Sequence, residues 1–90
     1  MITLKSEHEI ELMRRAGKIT AAARALAREM VKPGVTTQQI DKAVYHFIKS
    51  QGAVPSFLNY NGYPASVCVS VNDEIIHGIP GKRVLQEGDI

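Results

Sequence analysis

The chain has 90 residues, 11 Lys and Arg, 9 Asp and Glu, and a formal net charge of +2, which bounds it to one small domain burying roughly 60% of its unfolded surface. Its single cysteine, Cys68, rules out an internal disulfide; with a polar, helix-like start and no secretory leader, it points to a reducing, cytoplasmic setting. No apolar run approaches the roughly 18 residues of a membrane span, and a weak positive charge interleaved with acids argues against a nucleic-acid partner.

Ser6 followed three residues later by Glu9 is a capping box, so a helix is expected from there to about Met30. Leu12, Ala16, Ile19, Ala23, Leu26 and Met30 draw one apolar stripe along it, with small residues suited to close packing on a sheet or another helix. Lys32-Pro33-Gly34 ends that element. Thr36 and Gln39 form a second capping box, and Ile40, Ala43, Val44, Phe47 and Ile48 make a second helical stripe that closes at Gly52.

Beyond Gly52 the period changes. Val67, Val69 and Val71 alternate with Ser66, Cys68, Ser70 and Asn72, the pattern of a two-faced strand. Asn72-Asp73 is a turn dipeptide, and Glu74 to His77 is expected to return as an antiparallel strand. The resulting class is α+β: two helices followed by antiparallel strands. Gln86 to Asp89 reads as a turn and Ile90 as the first residue of another strand. A useful strand needs about five residues, so the chain is expected to be part of something longer.

Chemistry concentrates between Pro55 and Pro80. His77 is the side chain best suited to proton work near neutral pH, and Gly78-Ile79-Pro80 fixes the chain direction after it. A half-buried strand-end histidine bonded to a carbonyl is the plainer reading of the same spacing. Phe57, Tyr60 and Tyr63 offer apolar faces, the two tyrosines add hydroxyls that can orient a ligand, and Cys68 adds a small, soft surface. The alternative is that these aromatics plug one end of a small core. His8 and His46 sit on helices with no partner at ligand spacing, and Asp73, Glu74 and Asp89 read as turn residues. The chain has no metal-binding motif of its own, and Cys68 lacks the context of a cysteine nucleophile.

Tyr60-Asn61-Gly62-Tyr63-Pro64, Ser66 to Asn72 and His77-Gly78-Ile79-Pro80 together resemble the amino-terminal part of type I methionine aminopeptidases. The resemblance covers essentially the whole chain. It implies the amino-terminal half of a "pita-bread" fold, with residues 1–90 an incomplete part of one catalytic domain. It further implies a metal-dependent hydrolase that removes the initiator methionine from nascent proteins, with the ribosome as a candidate partner and a monomeric full-length enzyme. Two divalent metal ions (cobalt, manganese, iron, zinc or similar) would activate water, held by an Asp pair, a His and two Glu beyond Ile90. By the same resemblance His77 contacts the substrate near the scissile bond, Phe57, Tyr60, Tyr63 and Cys68 receive the methionine side chain, and carbonyls near Asn72 hold a monovalent cation. On this basis residues 1–90 alone are expected neither to bind the metal pair nor to cleave peptides.

Two other classes compete. One is a non-catalytic peptide-binding module on the same half-fold. The other is a helical interaction domain that docks through the Ser6–Met30 stripe, for which His77 and the tyrosines would be dispensable. Proline-directed aminopeptidases and creatine-cleaving enzymes share the fold, but the run of Tyr60–Pro64 with His77–Pro80 favours the methionine-specific family.

Overall fold

The computed structural model describes all of residues 1–90. Two helices come first, α1 (Glu7–Met30) and α2 (Thr37–Ser50). Both capping boxes form as expected. The Ser6 hydroxyl accepts the Glu9 amide at 3.2 Å, and the Glu9 carboxylate accepts the Ser6 amide at 2.8 Å. Thr36 and Gln39 repeat the exchange at 3.1 and 2.8 Å. Each box satisfies backbone donors that the first helical turn leaves without partners. Helix α2 ends in a Schellman arrangement: Gly52 N–H reaches the Lys49 carbonyl at 3.0 Å and Ala53 N–H the Ile48 carbonyl at 3.2 Å. That geometry needs a left-handed residue, which Gly52 supplies with φ of 75°.

The helices pack on one another around Ala23, Ile40 and Val44, and Val71 and Leu85 complete the buried cluster from the second half of the chain. Ala23 has no bulk beyond its β-carbon, so the helices can approach closely there. The α1 stripe is covered only in part. Ala23 is buried and Ile19, Leu26 and Met30 are half-buried, but Leu12 stays 47% exposed. The reason is length. At 1.5 Å per residue α1 runs about 36 Å and α2 only about 21 Å, so α2 cannot reach the first turns of its partner.

The antiparallel strand pair expected over residues 66–77 does not form. In an antiparallel pair every second residue turns its amide toward the neighbouring strand, and here several amides are engaged elsewhere. Ser66 and Val67 donate to the Asp41 carboxylate, Val71 to Glu74 Oε1, and Asn72 to the Ile90 carbonyl. Only Val69 reaches across to the returning segment, at the Gly78 carbonyl, 2.8 Å away. Left-handed backbone at Asn72 (φ 57°) and His77 (φ 56°) further interrupts the extended path. Regular β pairing is limited to one antiparallel bridge, Thr36 to Val84, flanked by Leu85 N–H to the Val35 carbonyl at 2.8 Å and Thr37 N–H to the Arg83 carbonyl at 3.1 Å.

The first turn of α2 anchors this return. The buried Thr37 hydroxyl accepts Gly81 N–H at 2.8 Å and donates to the Gly81 carbonyl at 3.2 Å. The last turn of the chain is tied to Asn72, whose carboxamide donates to Asp89 and accepts from Ile90 N–H, at 3.0 and 2.9 Å.

Ile40 lies at the centre of the core and is 3% exposed. Ile40→Ala should cost about 2–5 kcal/mol of stability, against about 1 kcal/mol for loss of the exposed Ser6 cap in Ser6→Ala. Urea denaturation followed by far-UV circular dichroism checks the order. Equal losses would mean that Ile40 is not the packing centre.

Candidate functional site

Residues 55–79 wrap around a cavity of about 580 Å³ lined by Phe57, Tyr60, Asn61, Gly62, Tyr63, Pro64, Cys68, His77 and Ile79. The five residues singled out in the sequence, Phe57, Tyr60, Tyr63, Cys68 and His77, therefore all meet at one concavity of ligand size. The aromatic wall is set by a 3₁₀ turn, Tyr60–Gly62, entered through Asn59 and passing through Asn61, both left-handed (φ 65° and 48°). Asparagine tolerates that backbone better than most residues. The turn presents Tyr60 largely exposed, at 68%, while Phe57 meets Tyr63 edge to face with ring centres 6.4 Å apart.

Tyr63 differs from the sequence expectation for a ligand-orienting hydroxyl. Its Oη lies 2.9 Å from the Val67 carbonyl and 3.4 Å from the Gly78 carbonyl, so its one proton is shared between two main-chain acceptors. The ring forms wall, and the hydroxyl ties the chain to itself. Burial pushes the phenol up to about 12, with Cys68 and Asp41 adding to it. Both effects disfavour a phenolate.

His77 stands at the rim, exposed, in a left-handed conformation that costs a non-glycine residue about 1–2 kcal/mol. The next residue holds it there. Gly78 is buried, its carbonyl accepts Val69 N–H at 2.8 Å and its amide donates to Ser70 Oγ at 3.1 Å. A β-carbon on Gly78 would run into the Val69 carbonyl, so only glycine permits this approach. Backbone strain of this kind persists where surrounding contacts over-determine it.

Cys68 is half-buried and free. Together with Phe57 it separates the aromatic cavity from a second, apolar hollow of about 460 Å³ between α1, α2 and residues 66–69. His8 and His46 are exposed on their helices, away from the cavity lining. His46 packs edge to face on Tyr45. No three His, Cys, Asp or Glu side chains converge so as to hold a metal ion. The Asn72 carboxamide is committed to Asp89 and Ile90, so a monovalent cation at that turn would draw on backbone carbonyls. Hydrogen bonds from Asn72 and the Gln86 amide hold the Asp89 carboxyl below the usual carboxylate range.

Contributors beyond the five named from the sequence include Asn61, Gly62, Pro64, Ile79 and Asp41. Ile79 completes the lining, and a isoleucine after a glycine gives no signal of that. Asp41, inside α2, accepts the Ser66 and Val67 amides on one carboxylate oxygen, at 2.7 and 3.0 Å. Its half-burial shows only in the fold, so the sequence carried no signal of it.

The raised Tyr63 phenol has a consequence for stability. It favours the folded state below the ordinary tyrosine value near 10, and that contribution is lost as pH rises from about 10 toward about 12. Among the three tyrosines, the phenolate absorbance step near pH 12 should vanish in Tyr63→Phe. A step that survives this substitution belongs to another residue and removes the assignment.

Comparison with known proteins places this geometry. The profile of metallopeptidase family M24 matches residues 11–90. Methionine aminopeptidase 1 of Bacillus subtilis is 50% identical over 90 residues, covering 100% of this chain and 36% of that protein. The Clostridium acetobutylicum methionine aminopeptidase is 53% identical over 91 residues, with the same coverage of 100% and 36%. The crystal structure of the Thermotoga maritima methionine aminopeptidase superposes with a TM-score of 0.95 at 41% identity, over 99% of this chain and 36% of that one. That of Rickettsia prowazekii gives 0.94 at 40%, again over 99% and 36%. These neighbours have the pita-bread fold, and this chain spans 36% of the length of the relatives it matches. With its profile matched from residue 11 onward, the chain belongs to metallopeptidase family M24, whose members use divalent metal.

Proposed function

We propose that residues 1–90 form the substrate-recognising, amino-terminal part of a methionine aminopeptidase that removes the initiator methionine from nascent proteins in the cytoplasm. The observation that carries this reading is the convergence of Phe57, Tyr60, Tyr63, Cys68 and His77 on one cavity in a chain about half identical to methionine aminopeptidases. An aromatic and thiol-lined hollow suits methionine, whose flexible, polarizable thioether packs well against ring edges. The walls would give the side chain an apolar contact surface, and the rim is where the peptide's first amide bond would lie.

His77 is the proton-bearing group at that rim. Its imidazole would donate a hydrogen bond to the substrate at the scissile amide and keep that bond as charge develops during attack. Its left-handed backbone, held by Gly78 against Val69, fixes where the side chain leaves the main chain. Residues 1–90 offer no metal-ligand cluster, so no part of water activation is assigned to them. The carbonyls around Asn72 are the donors that a monovalent cation would use. In this reading the working enzyme acts on N-terminal methionine near the ribosome and as a monomer. The chain's own helices include none long and apolar enough to cross a membrane.

The test is metal-dependent release of methionine from a Met-Ala-Ser peptide by the full-length protein, assayed with cobalt, manganese, iron and zinc in turn. His77→Ala should lower kcat/KM by about 10²-fold, the usual loss on removing one transition-state donor, while bound metal measured by mass spectrometry stays unchanged. A wild-type protein inert with all four metals would eliminate the aminopeptidase reading. An unaffected His77→Ala variant would remove His77 from the mechanism.

A further inference from the structure

Asp41 lies on α2 and is absent from the cavity lining, yet hydrogen bonds, joined through the Val67 main chain, connect it to both walls of the cavity. One wall is the turn from Tyr63 to Cys68, and the other is the turn at His77 and Gly78. Asp41 Oδ1 accepts both Ser66 and Val67 amides, at 2.7 and 3.0 Å. The Val67 carbonyl, in the peptide that leads into Cys68, accepts the Tyr63 hydroxyl at 2.9 Å. The same hydroxyl faces the Gly78 carbonyl at 3.4 Å, and that carbonyl also accepts Val69 N–H at 2.8 Å.

Each link removes a freedom the cavity could not otherwise lose. Residues 63–68 belong to no helix or strand beyond the 3₁₀ turn before them, so no regular ladder fixes their amides. Ser66 is buried, and a buried amide left without an acceptor is destabilising. A charged acceptor makes such bonds roughly twice as strong as a neutral one. The carboxylate therefore selects one conformation of the 66–67 turn. That choice fixes the Val67 carbonyl, and through it the Tyr63 hydroxyl and its distance to Gly78.

We infer that Asp41 and the Tyr63 hydroxyl are positioning residues, which hold the side-chain pocket and the His77 rim in register with one another. The inference rests on the aminopeptidase reading of the cavity and deepens it. It assigns methionine selectivity in part to a helix residue that never meets the substrate. It also separates two functions of Tyr63: the ring is pocket wall, and the hydroxyl sets where His77 stands.

The test uses the full-length protein with Asp41→Ala, Asp41→Asn and Tyr63→Phe. Both amides bond the same oxygen of Asp41, and asparagine keeps an acceptor there, so Asp41→Asn is the rescuing variant. Asp41→Ala should lower the ratio of kcat/KM for Met-Ala-Ser over Leu-Ala-Ser by about tenfold, within the 10–200-fold that a hydrophobic pocket can discriminate. Asp41→Asn should restore the ratio. Tyr63→Phe keeps the ring and should lower kcat with KM unchanged. Amide hydrogen exchange supplies an independent readout: Ser66 and Val67 should lose protection in Asp41→Ala, and Val69 in Tyr63→Phe, while Ile40 and Val44 keep theirs. A purely structural role would lower the melting temperature and both substrate rates together, leaving the ratio fixed, and that result overturns the inference. Unchanged exchange at Ser66 and Val67 in Asp41→Ala overturns it as well. If the wild type releases no methionine, the functional reading falls, and exchange at Ser66, Val67 and Val69 alone decides whether these two residues hold the walls.

Discussion

The second half of this chain carries backbone amides that no β ladder satisfies, and helix α2 supplies partners for them. Thr37 and Asp41 are four residues apart and so lie on one face of α2. Thr37 holds the chain at Gly81 through both amide and carbonyl, and Asp41 holds it at Ser66 and Val67. Ile40 and Val44, on the neighbouring rows, bury the apolar side of the same helix against Ala23, Val71 and Leu85. One helix thus answers both requirements of a buried irregular segment, apolar contact and polar satisfaction. Tyr63 and Val69 tie the two turns to each other at Gly78, and α2 ties both to the helical half of the chain.

The cavity inherits its shape from that arrangement. Aromatic rings from one turn, a thiol from the next segment and an imidazole from a third meet because main-chain hydrogen bonds set the spacing between turns. Gly78 is the tightest point. Its lack of a side chain lets the 77–78 backbone lie against Val69, and that contact holds His77 in a conformation most histidines avoid. Tyr63 links the two sides through its hydroxyl while its ring closes the wall against Phe57.

Exposed apolar surface is the other prominent property. Leu12 and Met13 on α1, and Ile75, Ile76 and Ile79 beyond the Asn72 turn, are all largely open to solvent. Where such side chains adjoin, they mark sites of contact or a liability toward aggregation. The exposed ion pairs do little to offset it. Arg14–Glu11 and Arg83–Glu74, at 3.4 and 3.5 Å, are solvent-facing and of the kind that contributes 0–1 kcal/mol or so.

The sequence by itself determined the local elements and the identity of the reactive groups. Capping boxes at Ser6/Glu9 and Thr36/Gln39, two apolar stripes and the Gly52 cap place both helices, because helix ends and helical periodicity are written within a few residues of each other. Residue type singled out the five residues, which fall within 21 positions from Phe57 to His77, but a core plug fitted them as well; a substrate pocket was implied only by the family resemblance. What only the tertiary structure decided was which backbone groups pair. The alternation of Val67, Val69 and Val71 reads as a strand, yet their amides find a carboxylate, a single cross-chain carbonyl and a glutamate instead. Asp41 acts 25 and 26 residues from its origin, and nothing in the periodicity of α2 carries that distance. Hydrogen-bond partnership across a fold depends on where elements come to rest against each other, and that is settled by packing rather than by any local pattern.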